Sequence, residues 1–312
     1  MRNNFLSNSG LINTFLDTHK LSKKTDEEED DLFKMVQEDQ MEDEEEELFN
    51  LSIFPSDLKY KKMIGEGGFG IVYEGTYKGT KEVAIKKSMK SGELKREKDI
   101  LQKFNDPKVV KLIGFVEIDS QISTLVFEKL DSNLKNYFLN NVLSHNEKMD
   151  VCYQTSKALS YLHDNLVYHG DIKPENFLIS TDSKRIVIAD FGFSVALNES
   201  GGVVQTKSGS FEYVAPEIAK YGTGFLASDV FSFAITISFF LLDRRPYSET
   251  PERKLSLVRL VVNNNLRPTL PKEYINSSME TMIKKSWDSN YLNRPSMKSL
   301  FQLFEKIVQG KF

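Results

Sequence analysis

Cysteine, long apolar runs and clustered histidine are what this chain lacks. Cys152 is the single cysteine in 312 residues, so no intrachain disulfide can form, and a reducing, cytoplasmic setting is the expectation. It lies in a helix-like run and reads as a small buried apolar side chain rather than a reactive thiol. His145 and His163 show no metal-ligand spacing to other donors and are expected to be structural. The longest apolar run, 231–242, contains serine and threonine and falls short of the ~20 residues a membrane span requires. It reads as a buried core helix, and no transmembrane segment is expected. Arg2 stands where N-myristoylation needs glycine, and no signal-peptide pattern precedes a cleavage site. Neither a basic stripe nor a recognition motif for nucleic acid appears, so nucleic acid is not an expected partner.

What is present is ordinary globular material with one charge anomaly. Apolar residues make up 40 % and charged residues 28 %, enough for a sizeable core, and the length suggests about two domains. Residues 26–47 hold fourteen acids and one lysine, net −13. Removing them from the chain's −4 leaves +9 for the remainder. Such a block repels itself and is expected to be disordered. It could alternatively mask a basic groove of the body or contact a basic partner. Leu11, Ile12, Phe15 and Leu16 have the spacing of a short amphipathic helix. Leu32, Phe33, Met35 and Val36, then Leu48, Phe49, Leu51, Ile53 and Phe54, could serve as linear-motif anchors. Residues 1–55 are therefore set apart as an acidic N-terminal region.

Two polar clusters organise everything after it. His169-Gly170-Asp171-Ile172-Lys173-Pro174-Glu175-Asn176 precedes the apolar runs 177–179 and 186–188, and Asp190-Phe191-Gly192 follows them. The turn-rich Ser180-Thr181-Asp182-Ser183 between the runs predicts a hairpin, which returns Asp190 beside Asn176. An acid able to accept a proton then lies near a carboxylate and an amide oxygen suited to a divalent cation such as Mg²⁺. That is the equipment of phosphoryl transfer, in which positioning and charge neutralisation carry most of the catalysis.

Upstream, Gly65-Glu66-Gly67-Gly68-Phe69-Gly70 lies between strand-like Met63-Ile64 and Ile71-Val72-Tyr73. Glycines let backbone amides approach phosphate closely. A dinucleotide-binding unit would require a helix opening at the third glycine, but the chain offers a turn and another strand, 82–86, ending in Lys86. An unpaired ammonium there would be costly to desolvate, and Glu97, on a helix expected over 93–104, is its candidate partner. Strands are predicted at 109–117 and 125–127, and helices at 134–138 and 147–162.

In order and spacing these elements resemble the eukaryotic protein kinase superfamily. The eight residues from His169 match its catalytic loop, Asp190-Phe191-Gly192 its metal-binding triplet, and the glycine stretch its phosphate-covering hairpin. Ala215-Pro216-Glu217, Asp229 and Arg294 match later elements. The tyrosine-kinase-like group, which mostly phosphorylates serine and threonine, is the most similar. The resemblance implies an α+β bilobal fold: a small, mostly β N-lobe with one αC helix over 56–129, and a larger, mostly α C-lobe over 130–312.

It also implies an ATP-dependent protein serine/threonine kinase acting on protein substrates in signalling. The cofactors would be ATP and Mg²⁺. Asp171 would take the hydroxyl proton and Lys173 neutralise the γ-phosphate, with Asn176 and Asp190 as metal ligands. Lys86, held by Glu97, would fix the α- and β-phosphates under Gly65, Gly67, Gly68 and Gly70. Val72 and Ala84 would lie above the adenine and Leu178 below, with Phe127 as gatekeeper and Glu128, Lys129 and Leu130 as hinge. Leu101, Leu112, His169 and Phe191, anchored by Asp229, would form a regulatory spine. Glu217 would pair with Arg294, and Gly209-Ser210 would shape the site for Ser/Thr substrates. The alternative is a catalytically silent pseudokinase that binds ATP as a scaffold.

One departure stands out. Gly170 replaces the arginine usual beside the catalytic aspartate, so activity is expected to depend less on activation-loop phosphorylation. Thr206, Ser208 and Ser210 are candidate modification sites.

Overall fold

After the acidic region the chain folds mainly into strands. β1 (Leu58–Gly67), β2 (Gly70–Tyr77), β3 (Lys81–Lys87), β4 (Leu112–Ile118) and β5 (Gln121–Glu128) make one antiparallel sheet. Its order is β1-β2-β3-β5-β4, with α1 (Glu93–Leu101) lying between β3 and β4 in the chain. The computed structural model describes residues 51–68, 70–88, 93–198, 202–206, 210–251, 255–274 and 277–311. The readings for 11–16, 26–47, the apolar residues at 32–36 and 48–49, and for Phe69, Ser208 and Gly209 lie outside them.

The period of two in β3 decides which side chains face the cleft. Val83 and Ile85 are fully buried on one face, in a cluster with Ile53, Leu58, Val116 and Val126. Ala84 and Lys86 take the other face. Cross-strand register sets Val72 and Leu125 opposite Lys86, and Phe127 opposite Ala84. Ile53 corrects an expectation: it is buried, and its N–H donates to the Phe115 carbonyl at 2.8 Å, so it is core rather than a free motif anchor.

After Glu128 the chain becomes mainly helical. In order follow β6 (Ser132–Asn133), α2 (Leu134–Asn140), α3 (His145–Asp164), β7 (Val167–Tyr168), β8 (Phe177–Ile179) and β9 (Ile186–Ile188). Then come β10 (Val195–Ala196), β11 (Val204–Gln205), α4 (Pro216–Tyr221), β12 (Thr223–Gly224) and α5 (Leu226–Leu242). Helices α6 (Leu255–Asn263), α7 (Ser278–Ser286) and α8 (Met297–Val308) complete the described residues.

Helix α5 is apolar all round, and every residue from Ser228 to Leu241 is buried, so it is the central post of the helical part. Its buried hydroxyls are all satisfied: Thr236 and Ser238 donate to the Ser232 and Ile235 carbonyls within the helix, while Ser228 donates to Glu217 and Ser232 to the Tyr213 carbonyl outside it. Helix α3 opens with a capping box, Ser144 and Glu147 bonding reciprocally. None of the helices among the described residues is long and apolar enough to cross a membrane.

The strand expected over 109–117 starts later, at Leu112. The backbone before it is already engaged elsewhere: Ile188 donates to the Lys108 carbonyl at 2.9 Å, and Val110 donates to the Ile188 carbonyl at 3.0 Å. Helix α1 likewise ends at Leu101 rather than 104.

Candidate active site

A cleft of about 980 Å³ opens between the inner face of the sheet and the loops of the helical part. Its lining includes Gly65, Gly67, Gly68, Gly70, Val72, Ala84, Lys86, Glu97, Phe127, Glu128, Lys129, Leu130, Lys173, Asn176, Leu178 and Asp190. Asp171, 5 % exposed, adjoins the cleft through hydrogen bonds with the lining residues Lys173, Asn176 and Ser210.

Three elements meet at Lys86. From β3 its Nζ reaches Glu97 Oε2 of α1 at 2.7 Å and Asp190 Oδ1, just past β9, also at 2.7 Å. Burial opposes the charge of the ammonium, but the two carboxylates outweigh it and hold the Lys86 pKa above the ordinary lysine value. Burial pushes the Glu97 carboxyl up, with Lys86 offsetting this in part and Asp190 adding to it. For Asp190 burial also opposes ionisation, yet Lys86 prevails and its pKa is lowered. The Asp190 side chain keeps 37 % of its surface open to the cleft, while Glu97 is sealed. Glu97 is thus no surface residue pairing its neighbours: Lys95 turns to Asp99, and Lys98 lies over the Phe115 ring.

The hairpin brings the polar clusters together. Phe177 pairs with Ile188, and Ala189 donates to the Asn176 carbonyl at 2.9 Å, which extends the ladder up to Asp190. Asp190 itself adopts a left-handed backbone at φ 63°. Asn176 donates through Nδ2 to the Asp171 carbonyl at 2.7 Å and to Oδ2 at 3.1 Å. That assigns the amide oxygen of Asn176 as its remaining donor towards a cation. Lys173 Nζ meets Asp171 Oδ2 at 2.5 Å. His169 accepts from the Asp171 N–H at Nδ1 and donates from Nε2 to the Ala189 carbonyl, the neutral tautomer with its proton on Nε2. Its ring meets Phe191 edge-on at 5.3 Å, and Leu101 and Leu112 are buried as well.

Asp229 at the start of α5 anchors the loop, accepting from the His169 N–H at 2.7 Å and the Gly170 N–H at 3.0 Å. His163 adds a third contact to the same carboxylate at 3.3 Å, and His145 meets the Tyr274 hydroxyl, so both histidines act within the scaffold. Arg294 grips Glu217 through both guanidinium nitrogens, at 2.6 and 2.8 Å, and also lies over the ring of Phe231.

Two of the loop glycines have different duties. Gly70 is at φ +134°, and a Cβ there would stand 2.1 Å from the Lys87 carbonyl oxygen, so its lack of a side chain serves the β2-β3 approach. A Cβ on Gly67 would meet nothing within 4 Å among the described residues, which leaves its space to the cleft.

Three contacts were not foreseen. Ser210 donates from Oγ and N to Asp171 Oδ1, at 3.0 and 3.2 Å, and accepts from Lys173 at 3.0 Å. This tether holds Ser210 on the Asp171–Lys173 pair. Arg185 joins the Glu128 carboxylate to the Pro107 carbonyl. Lys135 pairs with Glu175 at 2.6 Å. None of these has a local sequence signal, because partners 37 to 78 positions apart are joined only by tertiary structure.

Residues 58–304 match the protein kinase domain family, and the chain belongs to it. It is 29 % identical over 277 residues to the probable serine/threonine-protein kinase gdt2 of Dictyostelium discoideum, covering 85 % of this chain and 16 % of that protein. Over 247 residues it is 31 % identical to the proline-rich receptor-like protein kinase PERK12 of Arabidopsis thaliana, covering 74 % of this chain and 33 % of the relative. The serine/threonine-protein kinase STY17 of the same plant is 28 % identical, with 81 % and 45 % covered. The chain spans less than half the length of each of these curated relatives.

Proposed function

We propose that this chain transfers the γ-phosphoryl group of ATP to serine and threonine hydroxyls of protein substrates, as a member of the tyrosine-kinase-like group. The observation that carries this reading is Lys86, drawn from β3 to within 2.7 Å of carboxylates on α1 and just past β9. These parts come from three separate elements and converge in the cleft that Lys173 and Asn176, the hydrogen-bond partners of Asp171, also line.

Asp171 orients the acceptor hydroxyl and takes its proton. Lys173, already at the Asp171 carboxylate, neutralises the γ-phosphate. Lys86, positioned by Glu97, holds the α- and β-phosphates beneath the glycine hairpin, which excludes water. Val72 and Ala84 above and Leu178 below hold the adenine, with Phe127 behind it and the backbone of Glu128, Lys129 and Leu130 along its edge.

Asp190 and Asn176 would hold Mg²⁺, which supplies charge neutralisation at the phosphates. Their donor set is hard oxygen. Among the described residues no cluster of three His, Cys, Asp or Glu could by itself hold a metal, as suits an ion that takes one or two protein ligands and completes its shell with phosphate and water. Ser210 on the Asp171–Lys173 pair supports Ser/Thr substrates, and the single, buried Cys152 supports a cytoplasmic setting.

Incubation with Mg-[γ-³²P]ATP and a mixed serine/threonine peptide library tests this. Labelled peptide is expected from wild type, with Lys86→Met and Asp190→Asn reduced by about 10²-fold or more. Thermal stabilisation by Mg-ATP without any transfer would establish the scaffold alternative.

A further inference from the structure

The cleft continues from the nucleotide half past Ser210 to Glu212, Tyr213 and Arg245, and there Glu175 of the catalytic-loop motif is paired with a lysine that no motif contains. Lys135, in the first turn of α2, places Nζ 2.6 Å from Glu175 Oε1, and the two side chains are only 28 and 30 % exposed. Glu175 lies two residues beyond Lys173 on the loop that bears Asp171. Its second oxygen, Oε2, is buried and has no hydrogen-bond partner among the described residues. The carboxylate is close enough for its charge to bear on the Tyr213 hydroxyl, whose pKa burial has already raised. Glu212 and Arg245 line the same stretch with opposite signs, so the pair decides the local balance.

A half-buried carboxylate beside the phosphoacceptor position is the natural seat for a cationic substrate side chain. Here an internal ammonium already fills half of it. An incoming guanidinium must either displace Lys135 or meet its positive charge at short range.

We infer that Lys135 is a specificity-determining residue: it occupies Glu175 and selects protein substrates that are neutral or acidic, not basic, around the acceptor hydroxyl. This rests on the phosphotransferase reading for the position of the acceptor. Lys135 covers Oε1, and Oε2 engages no other group among the described residues, so removing the lysine frees an uncompensated, partly exposed carboxylate rather than merely deleting a contact. The body from residue 56 onward carries net +6, once the −13 of residues 26–47 and the +3 of residues 1–25 are set aside from the chain's −4, and acts in the same direction over longer range.

The test is fluorescence anisotropy of labelled serine peptides, with a non-hydrolysable ATP analogue and Mg²⁺ present. The peptides differ only by arginine or alanine at each of three positions on either side of the serine. Wild type is expected to bind no arginine peptide more tightly than its alanine counterpart. In Lys135→Gln, at least one arginine position gains about fivefold in relative affinity, the size of one partly exposed ion pair. The gain disappears in Lys135→Gln/Glu175→Gln. A wild type that already prefers arginine, or a Lys135→Gln ratio equal to wild type, overturns the inference. Because binding is read without turnover, absence of phosphate transfer refutes the proposed activity and leaves this result standing.

Discussion

Replacing Lys86 with methionine turns the best-defined electrostatic feature of the cleft into a stability measurement. Methionine keeps the length of the side chain but removes the ammonium that joins Glu97 and Asp190. Asp190 can hydrate through its open edge, whereas Glu97, at 1 % exposure, cannot. An uncompensated buried carboxylate costs about 3–5 kcal/mol, and Glu97 avoids that cost by taking up a proton. Its pKa, already raised in the wild type, rises further in the variant. For a carboxyl with a raised folded pKa, stability is fully present below the unfolded value and is lost as pH rises through the folded one.

Lys86→Met is therefore expected to be near wild type at low pH. It should then lose about 1.4 kcal/mol per pH unit above the ordinary carboxyl range, levelling off at about 3–5 kcal/mol. Urea unfolding between pH 5 and 8 measures this. Lys86→Met/Glu97→Gln, with no titrating group at that position, should show no added slope. A Lys86→Met slope parallel to wild type, or one that survives in the double variant, would show that the burial of Glu97 does not control the pair.

Arg294→Ala should cost about 3–5 kcal/mol by leaving Glu217 with Ser228 as its remaining donor. Arg294→Lys should not restore it, since an ammonium cannot serve both Glu217 oxygens and the carbonyls of Ala227 and Asp288; urea midpoints report both. Gly70→Ala should lose more than about 1 kcal/mol because the new Cβ meets the Lys87 carbonyl in a backbone region closed to alanine. Gly67→Ala, with open space around it, should change the KM for ATP and not the thermal midpoint. Phosphatase-treated protein is expected to retain basal phosphotransfer; complete silence relieved by loop phosphorylation would rule out the reading of Gly170. Introducing arginine there should cost the ~1–2 kcal/mol of a left-handed backbone, read as a lower urea midpoint, given φ +84° and a Cβ only 3.0 Å from the Phe193 carbonyl.

Gly170 also marks the limit of linear reading. In sequence it is a missing cation. In the structure it is a conformational requirement as well, since the chain must turn left-handed there to present both the His169 and Gly170 N–H groups to Asp229. The assignment of Lys86 to Glu97 was legible because a lysine ending an apolar strand has few affordable environments. The helix around Glu97 also carried a readable apolar pattern. The extent of β4 was not legible, because Val109 and Val110 are as β-prone as their successors and only the presence of β9 beside them decides their partner.

Local chemistry, then, made the strands legible by their periodicity and the central helix by its long apolar run, and picked out the candidate proton acceptor and cation-facing oxygens by their place in two short polar clusters. Those signals are read within a few residues of one another, where backbone geometry alone fixes spacing. What only tertiary structure decided are the pairings between distant charges: Ser210 on Asp171, Arg185 on Glu128 and Lys135 on Glu175. Each joins side chains that many positions could have satisfied, and burial, not composition, selects which partner is within reach.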